Sequence, residues 1–149
     1  MTQQTIDNEG AFEATIRNQI NENFTELYLD GYALEKVAAV SLGATELGGS
    51  ETNTSFSFPS TGAILLNAWL KITDGESGTV DVGTQGTSND PNGIMEAAVT
   101  TNTGYAPTVA GALLGKFITG GDPVSVTSSG DLNSCSGILY IRYLELPAV

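Results

Sequence analysis

The chain has 149 residues, 40% of them hydrophobic, and this length predicts one domain with a single core. Its net charge is -12, from 17 acidic and 5 basic residues, which opposes binding to nucleic acid or to an anionic membrane. Histidine is absent and Cys135 is the one cysteine, which excludes a Ser-His-Asp site and an intrachain disulfide and argues against a zinc site.

The first ten residues are polar and acidic, and they show no secretory signal. No apolar run approaches the roughly 20 residues that a membrane helix needs. We therefore expect a protein that is made in a cytoplasm, stays soluble and has no membrane partner.

Large apolar residues then recur at spacings of three and four, which is typical of one face of a helix. These residues are Phe12, Ile16, Ile20, Phe24 and Leu27. Asp30-Gly31 predicts the end of this helix. The opposite face is rich in Asn, so the helix needs a partner for its apolar stripe, namely its own domain, sister subunits or another protein. We divide the chain into an arm and docking helix, 1–31, and a β domain, 32–149.

The β domain contains short apolar or alternating segments between clusters of Gly, Ser, Thr, Asn and Asp. Eight strands are predicted, at residues 36–42, 54–58, 63–73, 78–84, 94–100, 112–118, 123–128 and 136–146. Eight short, regularly spaced strands favour a mainly β fold, an antiparallel jelly roll or β-sandwich preceded by one α-helix.

The segment 63–73 is the most informative strand. Alternation predicts that one of its faces is buried. That stripe is Ile64, Leu66, Ala68, Leu70 and Ile72. The other face includes Leu65 and Trp69, which we interpret as a candidate subunit interface, since aromatic anchors concentrate at interface centres. Core packing of Trp69 is the alternative.

Catalytic motifs are absent. No GxxxxGK[ST] phosphate loop occurs, and no GxGxxG follows a strand. Asp90-Pro91-Asn92-Gly93 offers oxygens for Ca²⁺, but the spacing is not that of a calcium loop, and a plain turn is favoured. A carboxylate pair for glycoside hydrolysis remains open, although the many acids give that signal no specificity. We expect no enzymatic activity, no catalytic or metal site and no cofactor.

Two stretches resemble known virion proteins. Residues 17–28, RNQINENFTELY, resemble an INxNFxELY helix found near the N-termini of tailed-phage virion proteins. The matching residues are Ile20, Asn21, Asn23, Phe24, Glu26, Leu27 and Tyr28. The segment GTVDVGTQGTSNDPNGIMEAAVT, with LLGKFI and the final GILYIRYLEL, is similar to a small β domain of phage head decoration (cement) and head-fibre proteins.

This resemblance implies a trimeric jelly roll that decorates and stabilises the capsid exterior, bound to the major capsid protein. It places the protein on the outer surface of the virion and adds Tyr28 to the docking helix. Tail-associated proteins share the N-terminal motif, so the alternative function is a tail- or head-fibre adhesin. Such an adhesin would bind host glycans or a receptor through loops 85–93 and 101–111.

Overall fold

The computed structural model describes residues 34–87, 89–107 and 109–147. These residues contain no α-helix and form ten β-strands. The strands are β1 (Leu34–Leu42), β2 (Thr52–Ser57), β3 (Ala63–Asp74), β4 (Thr79–Thr84), β5 (Asp90–Val99), β6 (Gly104–Tyr105), β7 (Val109–Ala110), β8 (Phe117–Ile118), β9 (Pro123–Ser128) and β10 (Ser136–Glu145). The predicted helix and the boundary between 31 and 32 lie outside the described residues.

The strands make two antiparallel sheets. Sheet 1 has the order β1-β10-β3-β6, and β8 also pairs with β3. Sheet 2 has the order β2-β9-β4-β5-β7. The prediction of a mainly β, antiparallel fold is therefore confirmed.

One apolar core contains side chains from both sheets. Sheet 1 contributes Val40, Leu42, Leu65, Leu70, Ile72, Leu139 and Ile141, and sheet 2 contributes Val80, Val82, Ile94, Met95, Val124 and Val126. Each such burial is worth about 1.5–3 kcal/mol. An edge-to-face contact links the two sheets at one edge, since the ring of Phe58, which follows β2, lies 5.9 Å from that of Tyr143 on β10.

The predicted facing of the 63–73 strand is wrong in its first half. Tyr143 pairs with Leu65 whereas Arg142 pairs with Asn67, so Leu66 is the extra residue of a β-bulge. Because a bulge shifts the alternation by one, Leu65 points into the core before it and Leu70 after it.

The predicted turn at 90–93 is also partly wrong. Asp90 begins β5 and pairs with Thr84, and Met95 pairs with Val82. Residues 91–94 therefore lie opposite Gly83 alone, as an irregular part of the strand. The turn-forming residues at 90–93 correctly marked an irregular backbone segment, but they did not show that this segment lies inside a strand.

Of the strand predicted at 112–118, only the last two residues form a strand, β8. Leu114 N–H donates to the Gly111 carbonyl and Lys116 N–H donates to the Leu113 carbonyl, which makes two overlapping turns. Gly115 has a φ of 74°, a backbone conformation that glycine adopts without strain. Leu113 and Leu114 thus pack against the core from these turns and not from a strand.

Candidate interaction surface

The outer face of sheet 1 carries the largest set of solvent-facing apolar side chains that we identify. On β10, Leu139 and Ile141 are buried in the core, so Tyr140 between them points the other way. The pairing register places outward-pointing residues of β1, β3, β6 and β8 on the same side as Tyr140. We call this surface the Trp69 face, and its residues are Val37, Ile64, Trp69, Tyr105, Phe117 and Tyr140.

The centre of the face is an aromatic pair. Trp69 and Tyr140 are directly opposite each other on β3 and β10, and their rings are stacked with an interplanar angle of 14°. Trp69 points outward because its neighbour Leu70 is buried and successive side chains of a strand alternate. The prediction that Trp69 lies on a face separate from the core side chains of its strand agrees with this placement.

The margins of the face are strongly exposed. Tyr105 is 68% exposed, Phe117 55% and Val37 54%. Gly62 makes room for the Phe117 ring, since a Cβ on Gly62 would lie 2.4 Å from a ring carbon. Solitary exposed apolar residues are ordinary, but here three lie on the same sheet face as a stacked aromatic pair, with the polar Asn67 and Arg142 among them. We treat this face as the candidate interaction surface.

Two ion pairs join β1 to β10 at one end of the sheet. Arg142 donates two hydrogen bonds to the Glu35 carboxylate, from Nε at 2.7 Å and from a terminal nitrogen at 2.9 Å. Lys36 pairs with Glu145. The hydrogen bonds from Arg142 lower the pKa of Glu35, and the contact with Glu145 raises the pKa of Lys36. These charges on sheet 1 are therefore compensated within the chain.

The basic residues of the described part of the chain lie on strands of sheet 1 or directly beside one. Of the 5 in the sequence, Arg17 lies outside the described residues. Lys36, Lys71 and Arg142 are on strands of sheet 1, and Lys116 directly precedes β8. The strands of sheet 2 contain no Lys or Arg and hold Asp81, Asp90 and Glu96. Sheet 2 thus forms an acidic side of the described surface. The outer face of sheet 1 carries Lys71 and Arg142, whereas Lys36 is opposite the buried Tyr143 and lies on the other side of its strand.

The two residues predicted as a subunit interface are on opposite faces. Leu65 is fully buried between the sheets, so it offers no side-chain surface to another subunit, and its assignment is corrected to the core. Trp69 is half-buried on the outer face. The predicted docking residues lie outside the described residues, and they are Phe12, Ile16, Ile20, Phe24, Leu27 and Tyr28.

The two loops predicted for the adhesin alternative are adjacent. Leu113 N–H donates to the Gly93 carbonyl at 2.7 Å, and β7 pairs with β5. A Cβ on Gly111 would lie 2.1 Å from the Gly93 oxygen, so this close approach requires glycine. The contact draws the segments together through backbone groups.

Sequence reasoning missed Tyr105, Phe117, Val37 and Tyr140 as surface residues. Tyr105 and Phe117 lie in two-residue strands, which are too short to show alternation. Tyr140 lies in a strand that is apolar on both parities, so alternation does not mark which face is outward. Arg142, two residues further on, was the available signal that this parity faces outward.

In the described part of the chain, no cluster of three or more His, Cys, Asp or Glu side chains could hold a metal ion. Burial raises the pKa of the Cys135 thiol, which is 2% exposed. The described residues contain no helix that is long and apolar enough to span a membrane.

No protein-family model matches the sequence, and no curated protein matches it. Among solved structures, the chain is similar to a chain of the Cyanophage Pam1 capsid asymmetric unit. The TM-score is 0.52 at 19% sequence identity, over 76% of this chain and 86% of that chain. At this identity the match shows a shared fold.

Proposed function

We propose that this chain is a phage virion structural protein that decorates and stabilises the capsid exterior, without enzymatic activity. The observation that carries the proposal is the fold that it shares with a chain of a phage capsid asymmetric unit, over 86% of that chain. The INxNFxELY-type segment at 20–28 points independently to tailed-phage virions.

The strand order supports a jelly roll as the form of the β domain. A jelly roll arranges eight strands in two sheets through two Greek keys. Here β1 and β3 are in sheet 1, whereas β2 and β4 are in sheet 2. The chain thus changes sheets at each of these connections, and β9 and β10 return to lie beside β2 and β1. The two-residue strands β7 and β8 are additions to that plan.

In this proposal the protein is a homotrimer on the outer surface of the virion, and the major capsid protein is its partner. The docking element is the segment that ends before the β domain, with its apolar stripe of Phe12, Ile16, Ile20, Phe24 and Leu27 and with Tyr28. A protein with this role needs a stable domain and partner surfaces, and the Trp69 face supplies one such surface.

Quantitation of purified virions tests the location. Densitometry against the major capsid protein should give hundreds of copies of this chain per particle, and a cryo-EM map should show its β domain on the outside of the shell. A few copies located at the tail or on fibres would overturn the proposal and favour the adhesin.

Activity is tested separately on polysaccharides and peptidoglycan, with and without divalent ions. Turnover that is abolished by changing one carboxylate would refute the non-enzymatic role.

A further inference from the structure

Copies of this chain repel one another over most of their surface. Each carries a net charge of -12, and outside the strands of sheet 1 and their flanks the described residues contain acids and no bases. Two such chains approach most easily where basic residues offset the acids. In the described residues, that is the outer face of sheet 1, where register places Lys71 and Arg142 and where Lys116 directly precedes β8.

The same side carries exposed apolar side chains. The Trp69 face combines a stacked aromatic pair with three side chains that are more than half exposed. Arg142 donates two hydrogen bonds to the Glu35 carboxylate on this face. Covering the face therefore does not bury Glu35 as an unpaired charge. Aromatic residues at the centre with charge at the rim are typical of binding hot spots.

We propose that a second copy of this chain covers the Trp69 face. The inference rests on the trimer of the proposed function and gives it an interface. A ring of three copies has head-to-tail contacts, in which one surface meets a different surface of the neighbour. The Trp69 face, with Lys71 and Lys116 beside it, then meets the acidic side of the next copy, and opposite charges face each other across the contact.

Sedimentation equilibrium and light scattering of the purified full-length chain test this inference. The native chain should give about three times its mass of 15.4 kDa. Phe117→Asp and Tyr105→Asp each put a charge into the apolar contact, so each should weaken association at least about tenfold. Thr45→Asp adds the same charge in an exposed turn between β1 and β2, and it should leave the mass unchanged.

Two further readouts separate interface effects from unfolding. Trp69 is the only tryptophan, so its emission should shift to longer wavelength when the native protein dissociates on dilution, while circular dichroism stays constant. Lys71→Glu should weaken association strongly at low salt and little in about 1 M salt, where the Debye length is about 3 Å.

The inference is overturned if the native chain is a monomer at micromolar concentration. It is equally overturned if both aspartate variants, folded by circular dichroism, keep the native mass. A different result would contradict the proposed capsid role. If the chain forms a trimer that depends on the Trp69 face but is absent from purified capsids, the capsid role is wrong and this inference stands. A chain that is abundant on capsids yet monomeric in solution would retain the proposed location and lose this interface.

Discussion

The indole ring of Trp69 stacks on the phenol ring of Tyr140, with 5.5 Å between ring centroids and 14° between ring planes. The two residues occupy directly opposite positions on β3 and β10, the adjacent central strands of sheet 1. Cross-strand pairs of this kind stabilise a sheet beyond the burial of area. The pair therefore has two roles, because it joins the central strands and forms the middle of the Trp69 face.

The stacking energy is measurable by a double-mutant cycle of Trp69→Ala and Tyr140→Ala. Each change should lower the free energy of unfolding, and the coupling between them should be about 0.5–1.5 kcal/mol. Urea denaturation of all four proteins at one concentration gives the values. Pairing Trp69→Ala with Ser55→Ala, an exposed change on sheet 2, should give no coupling. Additive effects for Trp69 and Tyr140 would show that the stack contributes nothing specific.

Ala97→Gly should stabilise the protein. Ala97 has a φ of 50°, and this left-handed conformation costs an L-residue roughly 1–2 kcal/mol. Its N–H donates to Asp81 Oδ1 at 2.7 Å, which holds the bulge in β5. Glycine removes the strain but adds about 0.4–1 kcal/mol of unfolded-chain entropy. The expected net gain in the free energy of unfolding is up to about 1 kcal/mol.

Chemical denaturation measures this gain, and Ala98→Gly is the matched control. Ala98 is fully buried and has no positive φ, so its replacement should destabilise the protein. If both variants are destabilised equally, the conformation of Ala97 is not strained.

Ser128→Ala should lower the free energy of unfolding by about 1–3 kcal/mol. The buried Ser128 hydroxyl accepts a hydrogen bond from Gly49 N–H at 2.9 Å. The same oxygen lies 2.9 Å from the Leu47 carbonyl and 2.6 Å from the Gly130 carbonyl, and its proton serves one of them at a time. The hydroxyl thus anchors the β1–β2 connection to the segment after β9. Thermal unfolding should show the loss, whereas Ser55→Ala, at an exposed position, should have little effect.

The tie between β1 and β10 should weaken in acid. Arg142 lowers the pKa of Glu35 below its ordinary value of 4.5. A lowered folded-state pKa means that the pair stabilises the fold above the ordinary pKa and that this stabilisation is lost as pH falls through the lowered pKa. Glu35→Gln should therefore melt below the native chain at neutral pH and together with it in strong acid.

The effect of this exposed pair will be small, so the pH dependence is the informative quantity. Ser41→Ala, on the same exposed face of β1, should change the melting temperature equally at every pH. A pH-independent difference for Glu35→Gln would exclude the ion pair as its cause.

Alternation along the chain predicted most strands because each strand has one buried face. Val80 with Val82 in β4, and Val124 with Val126 in β9, follow this alternation and are buried. Alternation failed at Leu66, where a bulge inserts one residue and reverses the facing of everything before it. A bulge depends on the partner strand, so no periodicity within 63–73 could reveal it.

The interaction surface was predictable only in part. Trp69 was found because it is a large aromatic residue on the face opposite the predicted buried stripe. Tyr105 and Phe117 join it through two-residue strands that pair with β3 from distant parts of the sequence. Such short pairings are specified by tertiary packing rather than by local propensity. The sequence also offered no sign that Leu65 would belong to the core.

The N-terminal segment should be dispensable for folding and required for docking. Its five large apolar residues would each contribute roughly 1.5–3 kcal/mol on full burial. Deleting residues 1–31 should leave the two sheets folded, because the core draws on side chains from β1 to β10. The deletion should abolish or sharply weaken binding to capsids that lack this protein. Ile20→Asp with Phe24→Asp should act like the deletion, since it places two charges in the apolar stripe.

Co-sedimentation with undecorated capsids reports docking, and circular dichroism with thermal melting reports folding. The matched control is Asn18→Asp with Thr25→Asp, which adds the same charge to the predicted polar face and should leave binding intact. An unfolded truncated chain would show that the segment belongs to the core. A folded truncated chain that still binds capsids at full occupancy would move the docking surface to the β domain.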